Sequence, residues 1–194
     1  FHLSYLSTKG SAERMKKAKS KGLNITADVT LQNLFLTDEA INNFDTRYKV
    51  MPPLRTKKDN KALIKALKEG TIDVITSDHS PQDNEHKRVE FDNAADGIIG
   101  LESAFGLLGK YLLPHLELSQ LIEKIAINPR KILGLNEATL IEGNTANITL
   151  FNPDLEWKFT KEDIKSKSNN TPFLGEKLKG KALAIFNNGK FKKC

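Results

Sequence analysis

Residues 73–82 read DVITSDHSPQ, a short apolar segment followed at once by polar side chains. Asp73 to Thr76 lacks the alternation of a strand with one solvated face, which predicts a strand buried on both faces. Such strands are typical of parallel sheets covered by helices. Asp78 and His79 come directly after this strand, at the carboxyl edge where parallel α/β folds bind their ligands. The stretch therefore predicts an α/β fold with Asp78 at a functional edge.

On both sides of this stretch, predicted strands alternate with predicted helices, which indicates βα units that build a parallel sheet. A complete (β/α)8 barrel typically needs about 250 residues and eight strands. This chain has 194 residues and a pattern of four parallel strands, so we expect half a barrel. The predicted strands are 1–6, 23–29, 48–51 and 73–76, and the predicted helices are 11–21, 58–68, 101–112, 118–125 and 128–133.

The pattern changes towards the C-terminus, where short strands are predicted at 146–151 and 182–186. Asn188-Gly189 is typical of a hairpin turn before one further strand. The intervening segment Lys161 to Thr171 is polar and rich in Ser, Asn and Lys, which predicts a mobile loop. The predicted domains are a barrel segment, 1–135, and a small β appendage, 136–194.

The composition is that of an ordinary globular protein, with 39% hydrophobic residues. No run approaches the roughly 18 consecutive apolar residues of a membrane span, and the N-terminal residues lack the pattern of a secretory signal. The single cysteine, Cys194, cannot form an internal disulfide, which agrees with a reducing compartment. We therefore expect a cytoplasmic protein without a membrane partner.

The net charge of +6, with 30 Lys and Arg residues, raises the hypothesis of nucleic-acid binding. The basic residues are scattered, with their densest groups within 16–21, 57–61 and 190–193. The first two groups lie in predicted amphipathic helices, where a solvated basic face is the ordinary explanation. No aromatic side chains are interleaved with them to stack on bases. We expect no nucleic-acid partner.

Several segments resemble those of bacterial dihydroorotases, in the same order and at similar spacing. TSDHSPQDNEHK and EFDNAADGIIGLESAF resemble the family's segment around its metal-binding aspartate. The chain is similar to hydantoinases too, but MPPLRTKKD and GIIGLES favour the dihydroorotase side. The other segments that carry the resemblance are HLSYLSTKGS, ITADVTLQNLFLTDE, RYKVMPPLRTKKD, INPRKILGL and SNNTPFLGEKLKGK.

This resemblance implies the fold class α/β, as the second half of a (β/α)8 TIM-like barrel of about four βα units plus a small C-terminal β-sandwich portion. It implies a cyclic amidohydrolase of pyrimidine biosynthesis that interconverts carbamoyl-aspartate and dihydroorotate. An open half-barrel exposes sheet edges and apolar layers, so we expect this polypeptide alone to be unstable or to self-associate.

The resemblance also implies zinc, bound by a His-x-His on the first strand, a mid-barrel carboxylate or carboxylated lysine, two histidines and Asp78. The first-strand and mid-barrel groups would lie upstream of Phe1. One histidine is expected just before the Ser-Thr pair, where this sequence has Tyr5. His2, three residues earlier, points by strand alternation to the opposite face, and we interpret it as structural. Zinc is therefore expected to be absent or partial at Asp78.

The positions that the family uses for its substrate have also changed. Met51 stands where the family has asparagine, and Gln82 where it has histidine. Leu31-Gln32-Asn33 replaces a Pro-His-His run, whereas Arg55 and His79 are retained. Each lost hydrogen bond is worth roughly 1–3 kcal/mol, so two losses reduce turnover by orders of magnitude. The candidate site residues are Asp78 as catalytic and metal-binding group, and Met51, Gln82, Asp96 and Gly97 as substrate-binding positions, the last two through their main chain.

Two functions remain open. The first is an active zinc-dependent dihydroorotase completed by a missing N-terminal half. The second is a pseudoenzyme, a non-catalytic dihydroorotase-like scaffold subunit that binds aspartate carbamoyltransferase. The retained frame, such as Gly97 and Gly100, together with the altered chemical groups, favours an impaired copy. The expected partners are the missing half, a further copy in a homo-oligomer, and aspartate carbamoyltransferase.

Overall fold

The structure is a computed structural model and describes residues 1–136 and 139–194. This part of the chain forms an α/β fold with two three-stranded sheets. The first sheet is parallel with strand order β1-β2-β3, and the second is antiparallel with order β4-β5-β6. The strands are β1 (His2–Leu3), β2 (Thr26–Thr30), β3 (Val74–Thr76), β4 (Ile148–Lys158), β5 (Lys177–Asn187) and β6 (Lys190–Lys193).

The helices that surround the parallel sheet begin at recognisable caps. Thr8 caps α1 by accepting a hydrogen bond from the backbone amide of Ser11 at 3.1 Å, and Thr56 caps α3 in a similar box with Asp59. Gly22, with φ 77°, lies just after α1, where a left-handed residue satisfies the last carbonyls. The helices are α1 (Lys9–Ser20), α2 (Gln32–Phe35), α3 (Lys57–Lys68), α4 (Asn84–Lys87), α5 (Leu101–Tyr111), α6 (Leu118–Ile122) and α7 (Asn128–Ile132), with a π-helical turn at Glu123–Ile127.

Strand β2 separates an apolar layer from a polar one. Its Ala27 and Val29 are fully buried in the hydrophobic core, which also contains Leu63 and Leu67 of α3. Because side chains alternate along a strand, Asp28 lies on the opposite face, where it contacts His2 of β1. The parallel sheet is therefore packed on its helical side, while its other side carries polar groups.

The predicted strand at 48–51 is wrong. Thr46–Tyr48 forms a 3-10 turn, and the chain then runs through Pro52 and Pro53 without joining the parallel sheet. Pro52 and Pro53 have no N–H donor, so a strand cannot be extended beyond Met51 into a central ladder. Pairing resumes only as an isolated bridge between Thr37 and Arg55. The described sheet thus has three parallel strands rather than the predicted four.

The antiparallel sheet packs against α5. Leu178 of β5 is buried in the main core, and the Trp157 indole donates to the carbonyl of Gly180 at 2.9 Å. Two glycines of α5 permit this close approach, since a Cβ on Gly109 would overlap the carbonyl oxygen of Lys179. The predicted domain boundary between residues 135 and 136 adjoins residues 137 and 138, which lie outside the described part of the chain, and it stays a prediction.

The predicted mobile loop at Lys161 to Thr171 is instead joined to the rest of the fold. A 3-10 turn forms at Lys161–Asp163, and Thr171 is fully buried. The Glu102 carboxylate accepts hydrogen bonds from the backbone amides of Lys165 and Ser166. In the residues that the structure describes, no helix is long and apolar enough to cross a bilayer.

Candidate functional site

The site lies where the three parallel strands end. Tyr5, Gln32 and Asp78 each stand two residues beyond the last residue of β1, β2 and β3 respectively. Carboxyl ends of neighbouring parallel strands share one edge of a sheet, so these three side chains are brought together. Tyr5 and Asp78 both have positive φ, 63° and 45°, which is uncommon for residues with a Cβ. Such backbone conformations cluster at functional sites.

Asp78 is held by neutral donors. The Gln32 amide donates a hydrogen bond to Oδ2 of Asp78, and the Ser80 hydroxyl donates to Oδ1 at 3.4 Å. Burial is the strongest influence on Asp78 and raises its pKa, whereas the hydrogen bonds from Gln32, Ser80 and Tyr5 oppose that rise. The carboxylate of Asp28 adds to the rise through its negative charge.

Tyr5 is held in place by a pair of groups on the polar side of the sheet. Its backbone amide donates to Oδ1 of Asp28 at 2.8 Å. The second oxygen of Asp28 lies 2.9 Å from Nε2 of His2, and Nδ1 of His2 lies 2.7 Å from the Thr26 hydroxyl. Burial, followed by the charges of Asp78 and Asp28, raises the pKa of Tyr5. The phenol is thus neutral at ordinary pH, and a neutral phenol is a poor zinc ligand.

Of the positions expected to bind substrate, one is exposed and others are hydrogen-bonded to each other within the chain. Met51 is 62% exposed and offers no polar group. The Gln82 amide donates to the main-chain carbonyl of Asp96 at 3.0 Å, so one of the expected main-chain contacts is already used. Gly97 has φ 135°, and a Cβ there would lie 2.7 Å from Cβ of Ser80. Only glycine fits at this crossing of two loops.

His79 follows Asp78 in sequence, but its side chain caps the N-terminus of helix α5. Its Nδ1 accepts hydrogen bonds from the backbone amides of Gly100 and Leu101, at 3.2 and 3.3 Å. These amides begin α5, so the ring caps the helix in place of a polar side chain at Gly100. An acceptor Nδ1 places the proton of a neutral ring on Nε2.

Sequence reasoning did not identify two residues that organise the site. Gln32 contacts Asp78 across 46 positions, and the replaced Pro-His-His run was the available signal. Asn170, 5% exposed, donates to the carbonyls of Ser80 and Gly97 at 3.1 and 3.0 Å, while its own side-chain oxygen accepts from the amide of Gln82. Nothing in its polar surroundings in sequence distinguishes Asn170 from its neighbours.

The residues at Asp78 do not fit a zinc ion by themselves. Catalytic zinc needs about three nitrogen, sulfur or carboxylate ligands. Tyr5 and Gln32, which stand beside Asp78, offer a neutral phenol and an amide. Within 1–136 and 139–194, no group of three or more His, Cys, Asp or Glu side chains is arranged to hold a metal ion.

The chain is similar in sequence to dihydroorotases. It is 46% identical over 181 residues to a dihydroorotase of Thermoanaerobacter sp. (strain X514), covering 92% of this chain and 42% of that protein. It is 43% identical over 190 residues to a dihydroorotase of Acetivibrio thermocellus, covering 97% of this chain and 45% of that protein. The chain thus spans less than half the length of these relatives. No family model matches it.

Solved structures share the fold over almost the whole chain. A D-hydantoinase superposes with a TM-score of 0.88 at 22% identity, covering 98% of this chain and 44% of its own. An inactive dihydroorotase-like domain of the CAD-like multifunctional protein of Chaetomium thermophilum superposes with a TM-score of 0.71 at 22% identity, covering 98% of this chain and 50% of its own. At these identities the likeness concerns the fold alone.

Proposed function

This chain is a sequence homologue of the dihydroorotases, and from that premise we propose that it is the C-terminal half of a dihydroorotase-like cyclic amidohydrolase whose catalytic site is impaired. The proposed substrate pair is that of the relatives, carbamoyl-aspartate and dihydroorotate. The carrying observation is that Asp78 stands at the shared edge of three parallel strands with Tyr5 and Gln32 as its neighbours. An aspartate at such an edge suits a metal-assisted hydrolase, whereas a phenol and an amide do not complete its ligand set.

The proposed architecture is the second half of a TIM-like barrel followed by part of a β-sandwich. The three-stranded parallel sheet and the likeness to hydantoinase structures support this architecture. The antiparallel sheet, with exposed Leu150 and Phe191, would be the sandwich portion. The proposed domains are 1–135 and 136–194. The rest of the barrel would come from an N-terminal half of the same protein, and we propose a cytoplasmic homo-oligomer.

Impairment follows from the chemistry of the site. With Met51 exposed and Gln82 engaged by Asp96, the chain presents few free donors to a pyrimidine ring. We propose that zinc is absent or partial in the intact protein, because this half offers Asp78 but has Tyr5 where the resemblance implies a histidine ligand. Asp78, Met51, Gln82, Asp96 and Gly97 remain the proposed site positions.

A scaffold function is the second candidate. It is favoured by the contrast between the altered chemical groups and the intact frame around them, in which Asn170 joins Ser80 to Gly97. The inactive domain of the CAD-like protein is a precedent for this fold without activity. We propose aspartate carbamoyltransferase as the partner of such a scaffold.

Zinc content and dihydroorotate hydrolysis of the intact protein test the proposal together. We expect clearly substoichiometric zinc by elemental analysis and turnover at least about a hundredfold below that of a competent dihydroorotase, as two lost polar contacts require. The Thermoanaerobacter relative, assayed in parallel, is the control. Full zinc with turnover equal to that of the control would refute the impairment. Co-sedimentation with aspartate carbamoyltransferase tests the scaffold function.

A further inference from the structure

We propose that Gln32 holds Asp78 by hydrogen bonding in the place of a metal ion, so that the site is assembled without metal. The inference rests on the proposed function, since it concerns a site that metal would otherwise organise. The residue that makes the hydrogen bond to Asp78 is Gln32. The sequence pattern alone had placed Gln32 among the changed positions that the family uses for its substrate. We call Tyr5, Gln32 and Asp78 the edge triad.

The positions of the edge triad are equivalent in the fold. Each residue stands two positions after its strand, and β2 lies between β1 and β3. Gln32 is therefore the central member, flanked by Tyr5 and Asp78. The resemblance implies that this half supplies one histidine and the aspartate, and Tyr5 and Asp78 occupy those two positions. Gln32 lies between them at the end of the middle strand, where it replaces the first histidine of the Pro-His-His run.

The chemistry of Gln32 suits this role. Its side chain is only 3% exposed, and its amide donates to Oδ2 of Asp78. A desolvated carboxylate is costly unless donors satisfy it. The Gln32 amide and the Ser80 hydroxyl supply these donors. A cation is not required to keep Asp78 in its position.

In the neighbouring loop, too, a glutamine side chain forms a hydrogen bond within the chain. The Gln82 amide donates to the carbonyl of Asp96, so two glutamines, one at the start of α2 and one in the loop after β3, satisfy groups of this chain. The acceptor of the Gln82 amide is thus a main-chain carbonyl, whereas the Gln32 amide donates to the carboxylate of Asp78. The pair therefore offers a matched control, because both are glutamines with an engaged side-chain amide near the same edge.

A double-mutant cycle on the intact protein tests the Gln32–Asp78 contact. Gln32→Met removes the donor and keeps the side-chain length, and Asp78→Leu removes the acceptor and keeps the side-chain size. We expect Gln32→Met to lower the urea midpoint in the wild-type background and to lose most of that effect in the Asp78→Leu background. Gln82→Met should have the same effect in both backgrounds. Equal effects of Gln32→Met in the two backgrounds would overturn the proposal.

Metal measurements provide a readout that does not depend on how well the methionine variants fold. We expect EDTA to leave the thermal midpoint of the wild-type protein unchanged, and a fall on chelation would overturn the proposal. Zn2+ titration should show affinity at least about tenfold higher for Tyr5→His/Gln32→His than for wild type, because zinc sites depend on the number of protein ligands. Tyr5→His/Gln82→His, with equal histidine content, should show no such gain; an equal gain would count against Gln32.

These tests separate the inference from the proposed function. The cycle uses no substrate, so an additive cycle would remove the role of Gln32 without touching the amidohydrolase assignment. Hydrolysis of dihydroorotate by the wild-type protein that persists in EDTA would refute the impairment, while a coupled cycle would still support the edge triad.

Discussion

The carboxylate of Asp28 accepts a hydrogen bond from the backbone amide of Tyr5 at 2.8 Å, and this contact fixes the turn that leads into the site. Tyr5 has φ 63°, a left-handed conformation that a residue with a Cβ adopts only when its surroundings compensate. His2 orients the other oxygen of Asp28 at 2.9 Å. The polar face of the parallel sheet therefore determines where the Tyr5 side chain lies.

Removal of this carboxylate should be costly. We expect Asp28→Ala to lower the free energy of unfolding by about 2–3 kcal/mol, because the amide of Tyr5 and the ring of His2 both lose a buried partner. Chemical denaturation measures the change. The control Asp92→Ala removes an exposed carboxylate and should change stability by less than about 0.5 kcal/mol. Equal effects of the two variants would contradict the role of Asp28.

Asn170 should be the most sensitive position of the segment 161–171. Asn170→Ala leaves the carbonyls of Ser80 and Gly97 and the amide of Gln82 without this partner. We expect a loss of about 3 kcal/mol and faster hydrogen exchange in the loops around residues 80 and 97. Asn169→Ala, at the exposed neighbouring position, should leave both unchanged. If hydrogen exchange in Asn170→Ala were unchanged, the loops around residues 80 and 97 would be stable without the side chain of Asn170.

Two helical glycines should respond oppositely to alanine. A Cβ on Gly109 would overlap the carbonyl of Lys179, so Gly109→Ala should separate α5 from β5 and cost about 2 kcal/mol or more. A Cβ on Gly10, in the first turn of α1, would meet the end of the Arg14 side chain at 4.0 Å, an ordinary van der Waals contact. Gly10→Ala should stabilise the protein by roughly 0.5–1 kcal/mol through helix propensity. Thermal unfolding of both variants distinguishes packing from propensity.

Burial of Lys124 should make the free energy of unfolding depend on pH in the alkaline range. It is 7% exposed, and its burial lowers the pKa of the ammonium below the ordinary 10.5. Because the folded state disfavours the charged form, stability rises with pH between the lowered pKa and 10.5. Lys124→Met should therefore be more stable than wild type at neutral pH, by roughly 1 kcal/mol.

The pH profile of this variant provides the check. As the pH rises towards 10.5, the wild type loses the buried charge and the advantage of Lys124→Met should shrink. Lys68→Met, at an exposed position of α3, should show no comparable pH-dependent difference. An advantage that stays constant over this range would assign the effect to packing instead of charge.

Local sequence determined much of this fold. The helices predicted at 11–21, 58–68 and 101–112 are confirmed as α1, α3 and α5 within about two residues, because capping groups and apolar periodicity act over one or two turns. The strand before Asp78 is confirmed as Val74–Thr76 for the same reason, since three consecutive β-branched residues between turns favour a strand. Homology to dihydroorotases was likewise visible in ordered local segments.

Tertiary structure alone decided the partners within the site. The contact between Gln32 and Asp78 joins residues 46 positions apart, and Asn170 reaches Ser80 across 90 positions. Hydrogen bonds of this kind depend on which strand ends become neighbours, and no local pattern carries that information. The predicted strand at 48–51 failed for a related reason: its apolar residues suit a strand, but strand formation needs a partner with matching donors and acceptors, and the sheet of the folded chain offers them elsewhere.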